Sequence, residues 1–186
     1  MKIKSIITVL ILSVTLTSVA IANNGIDKIN PNSENIEGSK TIVGVAASNE
    51  NFTTLVAAVK AADLVDVLNG DGPFTVFAPT NDAFAKLPEG TVSNLLKKEN
   101  KRTLTSVLTY HVVSGSFTAT DVVTAIKKNS GKFVIPTVQG GTITASLSNG
   151  NVILTDMNGN TSTVIITDVK ASNGVIHAID SVVMPK

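Results

Sequence analysis

The run Thr75-Val76-Phe77-Ala78-Pro79-Thr80-Asn81-Asp82-Ala83-Phe84 constrains the fold of this chain more than any other segment. An apolar extended run ends at Pro79, which disfavours helix at Ala78, and the Thr80 hydroxyl is then placed to cap a new helix. Asp82 falls in the first turn, where the helix dipole favours a negative charge, and Phe84 is positioned to pack back toward the strand. The segment reads as strand, sharp corner, helix. Near the C-terminus it is answered by a second apolar run, Asn173-Gly174-Val175-Ile176-His177-Ala178-Ile179-Asp180.

Elsewhere, periodicity orders the elements. Phe52, Leu55, Val56 and Val59 share one face of a helix capped near Asn51, and Leu64, Val67 and Leu68 repeat the pattern before Asn69-Gly70-Asp71-Gly72-Pro73 breaks it. Leu104, Val107 and Leu108 mark a longer helix with Asn100 as its cap, and a further helix runs from Asp121 to Lys128 behind Thr120. The remaining C-terminal half is mainly β. Val152 to Asp156 and Ser162 to Val169 flank Asn158-Gly159, a pair suited to the positive φ angles of a tight hairpin. No internal repeat is present, which points to one domain.

With Tyr110-His111-Val112-Val113 between them, the two opening segments resemble the fasciclin domain family, which has these three blocks in this order. The resemblance runs from Thr41 to Met184. It includes Val45-Ala46-Ala47-Ser48, Leu108-Thr109-Tyr110-His111-Val112-Val113 and Gln139-Gly140-Gly141-Thr142. It implies an α+β fold in which a layer of short helices packs on a wedge of two small twisted β-sheets. The element order itself is read from periodicity. The resemblance also implies a non-catalytic module for adhesion between cells, or between a cell and its matrix or surface polysaccharide. Because the Tyr-His block is implicated in adhesion in animal members, Tyr110, His111, Val112 and Val113 are candidate contact residues. A satisfied core role for Tyr110 and His111 stands beside that reading.

The start of the chain reads as an export signal. Lys2 and Lys4 precede an apolar stretch from Ile6 to Val19, and Ala20-Ile21-Ala22 offers a small-x-small cleavage site, so residues 1–22 read as a signal peptide. A membrane span needs about 20 predominantly apolar residues, whereas Thr8, Ser13, Thr15, Thr17 and Ser18 interrupt this one. Residues 23–39, rich in Asn, Ser, Glu and Gly, read as a flexible linker, leaving 40–186 as the domain. The expected location is secreted, extracellular or periplasmic, without membrane insertion after cleavage. Lys2 and Lys4 leave with the leader, so 15 basic and 14 acidic residues become a mature balance of about one negative charge. Such a surface gives no general attraction to nucleic acid. With no cysteine, the fold relies on its core rather than on disulfides.

Any histidine-dependent chemistry must use His111 or His177, the two histidines of the chain. On an extended strand His177 and Asp180 project to opposite faces. Ser181, four residues on, lies about 13 Å from His177, beyond the reach of a Ser-His dyad. A Gly-x-Ser-x-Gly elbow and a His-Glu-x-x-His pair are both missing, and neither a metal nor a cofactor is expected. Asp156-Met157-Asn158-Gly159-Asn160 has its glycine at the wrong position for a calcium loop and reads better as the hairpin turn. Lys97, Lys98, Lys101 and Arg102 form a second candidate site, on adjacent helical turns, for an acidic polysaccharide; a solvated helix face is the alternative. The expected partner is thus a cell-surface protein or polysaccharide. A periplasmic or secreted binding protein for a small ligand or glycan is a second reading, and a His-dependent hydrolase a third.

Overall fold

The structure is a computed structural model that describes residues 40–186; the expected leader and linker lie outside the described residues. Short helices alternate with the first strands: α1 (Ile42–Ala47), α2 (Thr53–Ala61), α3 (Val65–Leu68), β1 (Phe74–Pro79), α4 (Asn81–Ala85), α5 (Thr91–Leu95), α6 (Lys101–Tyr110), β2 (Val112–Ser114) and α7 (Ala119–Lys128). Five strands follow: β3 (Lys132–Pro136), β4 (Thr142–Ser148), β5 (Asn151–Thr155), β6 (Thr161–Ala171) and β7 (Gly174–Ile179).

The strands lie in the order β2-β1-β7-β6-β5-β4-β3. β1 runs parallel to β7, with Phe74 opposite Gly174 and Pro79 opposite Ile179, and the other neighbours are antiparallel. Two small sheets were expected from the C-terminal half. The structure has both, joined through β6, whose residues Thr161 to Thr163 pair with β5 while Val164 to Ala171 pair with β7. The register slips twice between Val164 and Val169, and Asp168 takes a φ of 58° there, so β6 is irregular where its partners change. β1, from the N-terminal half, lies between β2 and β7.

Alternation along β1 divides the interior. Val76 and Ala78 face a core with α1, α2, α3, α4 and α6, while Phe77 faces a second core built from α7 and β3 to β6. Full burial of a Leu, Ile or Phe side chain contributes about 1.5–3 kcal/mol, so these clusters supply the main stabilisation. The corner after β1 is as expected: Thr80 Oγ1 accepts the Ala83 amide, Asp82 sits in the first turn, and Phe84 is buried in the first core.

Four local expectations are corrected. Near Asn51, the capping side chain is Asn49, which accepts the Asn51 amide; Asn81 reaches over from α4 to accept the Thr54 amide and donate to the Glu50 carbonyl. The cap before α7 is Thr118 rather than Thr120, because Thr118 Oγ1 accepts the Asp121 amide while the Asp121 carboxylate accepts the Thr118 amide, a reciprocal capping box. Asn100 occupies the N-cap position of α6 but its side-chain amide donates to the Asn94 carbonyl instead. Val67 points outward while Leu64 and Leu68 are buried.

Candidate functional site

Tyr110 closes α6, His111 follows it, and Val112 and Val113 open β2, so the change from helix to strand turns successive side chains in opposite directions. Val112 enters the first core; Tyr110 and Val113 enter the second. All four are inside, with exposures of 0% for Tyr110, 2% for His111, 4% for Val112 and 1% for Val113. This corrects the candidate contact site: these side chains form an interior junction and present no surface for a partner to touch.

The polar groups of that junction are fully used. Tyr110 Oη donates to the Thr142 carbonyl at 2.6 Å and accepts the Met157 amide at 3.2 Å. Burial pushes the phenol above its ordinary pKa, the Met157 amide opposes the rise, and the Asp156 charge adds to it. His111 Nε2 accepts the Val183 amide, so Nδ1 carries the hydrogen and donates to the Val107 carbonyl at 2.8 Å. Burial depresses this imidazole to about 4, although the Val107 carbonyl favours the charged form.

Asp156 is the companion residue that sequence reasoning read only as part of a turn. Its carboxylate accepts the amides of Asn158, Asn160 and Met184 and the Asn160 side-chain amide, all at 2.9–3.0 Å. Burial works against its charge, but these donors, led by Met184, prevail and lower its pKa. N–H groups, not a cation, satisfy its oxygens, and among the described residues no group of three His, Cys, Asp or Glu is arranged for a metal. The turn has one positive φ, at Gly159, not the two expected for Asn158-Gly159, because the Asp156 side chain organises it. The signal that could have revealed this was Asp156 followed at two and four positions by asparagines.

Two loops are fastened to this junction by their backbones. The Val138 amide donates to Val112, the Gln139 amide donates to Thr109, and the Met157 amide donates to Tyr110. Gly141 is needed at the closure, since a Cβ there would lie 2.9 Å from Tyr110 Cε2 and 3.1 Å from Met157 Sδ. Yet Val138 and Met157 are 46% and 47% exposed, apolar side chains carried on anchored backbone. Neither was singled out from sequence, because exposure of a lone Val or Met has no local signature.

The basic residues are all exposed, but they do not lie on adjacent turns of one helix. Lys97 precedes a 3₁₀ turn containing Lys98, and Lys101 and Arg102 begin α6. Lys101 pairs with Asp63. Arg102 lines a groove of about 400 Å³ with Thr103, Ser106 and the segment Met184 to Lys186. His177 lies elsewhere, buried and stacked on Phe77 at 5.8 Å. Its Nδ1 accepts the Asp168 amide, leaving Nε2–H to donate to the Phe117 carbonyl. Asp180 instead accepts from Thr163, Ser162 and Lys86, so it shares no partner with His177. No described helix is long and apolar enough to cross a membrane.

Comparison with known proteins bears on this architecture directly. A family model described as the fasciclin domain matches residues 50–185. Protein sll1483 of Synechocystis sp. is 54% identical over 149 residues, covering 80% of this chain and 76% of that protein. Immunogenic protein MPB70 of Mycobacterium bovis is 42% identical over 153 residues, covering 79% of this chain and 70% of that protein. A solved FAS1 domain pair from the insect cell adhesion molecule fasciclin I matches with a TM-score of 0.69 at 23% identity, over 77% of this chain and 50% of that one.

Proposed function

Because the chain belongs to the fasciclin domain family, we propose that it is an exported, non-catalytic interaction module that attaches a cell to another cell, to matrix or to surface polysaccharide. The observation that carries this reading is the exposure of Val138 and Met157 on loops hydrogen-bonded to the buried Tyr110 junction. Rigid backbone beneath an exposed apolar side chain lowers the ordering cost of contact. The adhesive character of the insect structure's parent molecule agrees with it. So does the state of both histidines, whose ring nitrogens are occupied by backbone partners. On this reading the module acts in the periplasm or outside the cell by contact without turnover, and the Tyr-His block shapes the contact surface from within.

The test is saturation binding of residues 23–186 to the producer's own cells and to surface polysaccharide extracted from them. Met157→Lys and Val138→Lys should each weaken binding to cells about tenfold, as truncation of a contact centre does, while thermal stability is kept. Turnover of a substrate that His111→Gln abolishes in a folded protein would instead identify a hydrolase. Absence of binding to every fraction would remove the adhesive reading.

A second reading rests on an open cleft of about 750 Å³ bounded by the Asn69–Pro73 loop, Ser116 and Lys170. Its mixture of hydroxyl, amide and charged groups suits a small polar ligand. A thermal shift with soluble sugars or amino acids, lost in Lys170→Ala, would support that reading over adhesion.

A further inference from the structure

The face of β3 to β6 turned away from α7 has a composition unlike the rest of the chain. Register puts Val134 opposite Thr144, Thr144 opposite Thr155, and Thr155 opposite Thr161. The adjacent row runs from Lys132 through Ser146 and Ile153 to Thr163. The alternate residues, among them Ile135, Ile143, Ala145 and Leu154, are buried beneath α7 with Val122 and Ile126. The two rows are exposed or half-exposed. Four strands spaced by about 4.8 Å and two rows set two residues apart, at about 3.4 Å each, make a plate of roughly 14 by 7 Å.

Charge is the informative property of this plate. Charged residues make up 16% of the chain, in nearly equal numbers of each sign. Lys132, on the edge strand β3, is nevertheless the only ionisable residue the plate presents, and it carries no carboxylate. A polyanion laid on it would lose the hydration of several charges against the single counter-charge of Lys132 at the edge, which selects against nucleic acid and acidic glycans. Threonine instead offers a hydroxyl that both donates and accepts, beside a methyl group, on a β-branched side chain with little χ1 freedom to lose. Alternating hydroxyls and methyls match the hydroxyl rim and C–H faces of a sugar chain.

We propose that this plate is the polysaccharide-contacting surface and that its ligand is a neutral, extended polysaccharide. The assignment rests on the attachment function proposed above and names its chemistry and its location. The ordered Thr144, Thr155 and Thr161 row supplies hydrogen bonds, and Val134 and Ile153 supply apolar contact. Because the ligand carries no charge, the binding is insensitive to salt.

Residues 23–186 should sediment with an insoluble neutral β-glucan equally at low and high salt. Thr155→Lys combined with Thr163→Lys should reduce the bound fraction about tenfold, because two ammonium groups would be desolvated on contact. The milder Thr155→Val with Thr161→Val keeps β-branched shape while removing two hydroxyls, and should also weaken binding. The inference is overturned if the valine and lysine pairs, melting like wild type, bind glucan undiminished. It is also overturned if binding appears only with an anionic polysaccharide and fades with salt. Cell binding lost in Met157→Lys without any glucan binding would overturn this inference alone and leave the attachment function standing.

Discussion

His111 Nε2 accepts the backbone amide of Val183 at 3.3 Å, so one neutral imidazole joins the end of α6 to the segment following β7. Protonation would place an N–H against that amide and remove the bond.

The pH dependence follows. The folded imidazole titrates at about 4 and its ordinary value is 6.5, so protons favour the unfolded chain between these limits. This contribution to stability is complete above pH 6.5, falls by about 3 kcal/mol as pH approaches 4, and levels off below. Asp156 and Asp180 have depressed values, so their contributions persist above 3.8 and fade only at lower pH. Guanidinium unfolding midpoints measured between pH about 7.5 and about 4.5 should drop in wild type and much less in His111→Gln. Equal slopes for the two proteins would assign the effect elsewhere.

Asp156→Ala removes the acceptor of several buried or half-buried N–H groups and should cost about 2–4 kcal/mol. Asp156→Asn keeps the size but turns an amide toward the Asn160 or Met184 donors, so it should rescue only part of that loss. Melting curves for the two variants decide this; full rescue by asparagine would show that the charge is unimportant.

Tyr110→Phe leaves the Thr142 carbonyl and Met157 amide without their shared partner, and should destabilise by about 1–3 kcal/mol. Its effect on partner binding, measured well below the melting transition, should be smaller than that of Met157→Lys. The reverse order would return Tyr110 itself to the contact surface.

Gly174→Ala should be among the most damaging small substitutions. A Cβ there would lie 2.0 Å from the Phe74 carbonyl oxygen and 2.9 Å from Ile42, and the backbone contact has no flexible end to move aside. The required separation of β1 and β7 should cost more than about 3 kcal/mol or prevent folding. A well-folded Gly174→Ala protein with wild-type stability would contradict the tight pairing of these strands.

What could be read from residues alone was whatever neighbours determine. The Thr80 cap, the strand before it, the apolar face of Phe52, Leu55 and Val59, and the hairpin around Gly159 each depend on a few adjacent positions. The start of α2 is held by Asn49 and, from 27 residues away, by Asn81, and the second partner has no local signature. Thr118 is different: its capping box with Asp121 is written at local spacing, two residues before the Thr120 expected as cap. Periodicity places Leu104, Val107 and Leu108 on one buried face, but Tyr110 is buried by the Thr142 and Met157 segments, which no helical wheel contains. The candidate contact surface was illegible for the same reason, since it is whatever those loops leave uncovered.

The parallel pairing of β1 with β7 also dictates a timetable. Phe74 meets a partner 100 positions further along, and Asn173 donates its side-chain amide to the Leu68 and Gly70 carbonyls while accepting the Ile42 amide. Until the residues from Asn173 onward are available, β1 lacks one of its two neighbours and α1 lacks an anchor. Closing so long a loop makes assembly slow relative to helix formation. A chain that threads through an export channel from its N-terminus would thus stay open during transit and lock only once its final strand had emerged.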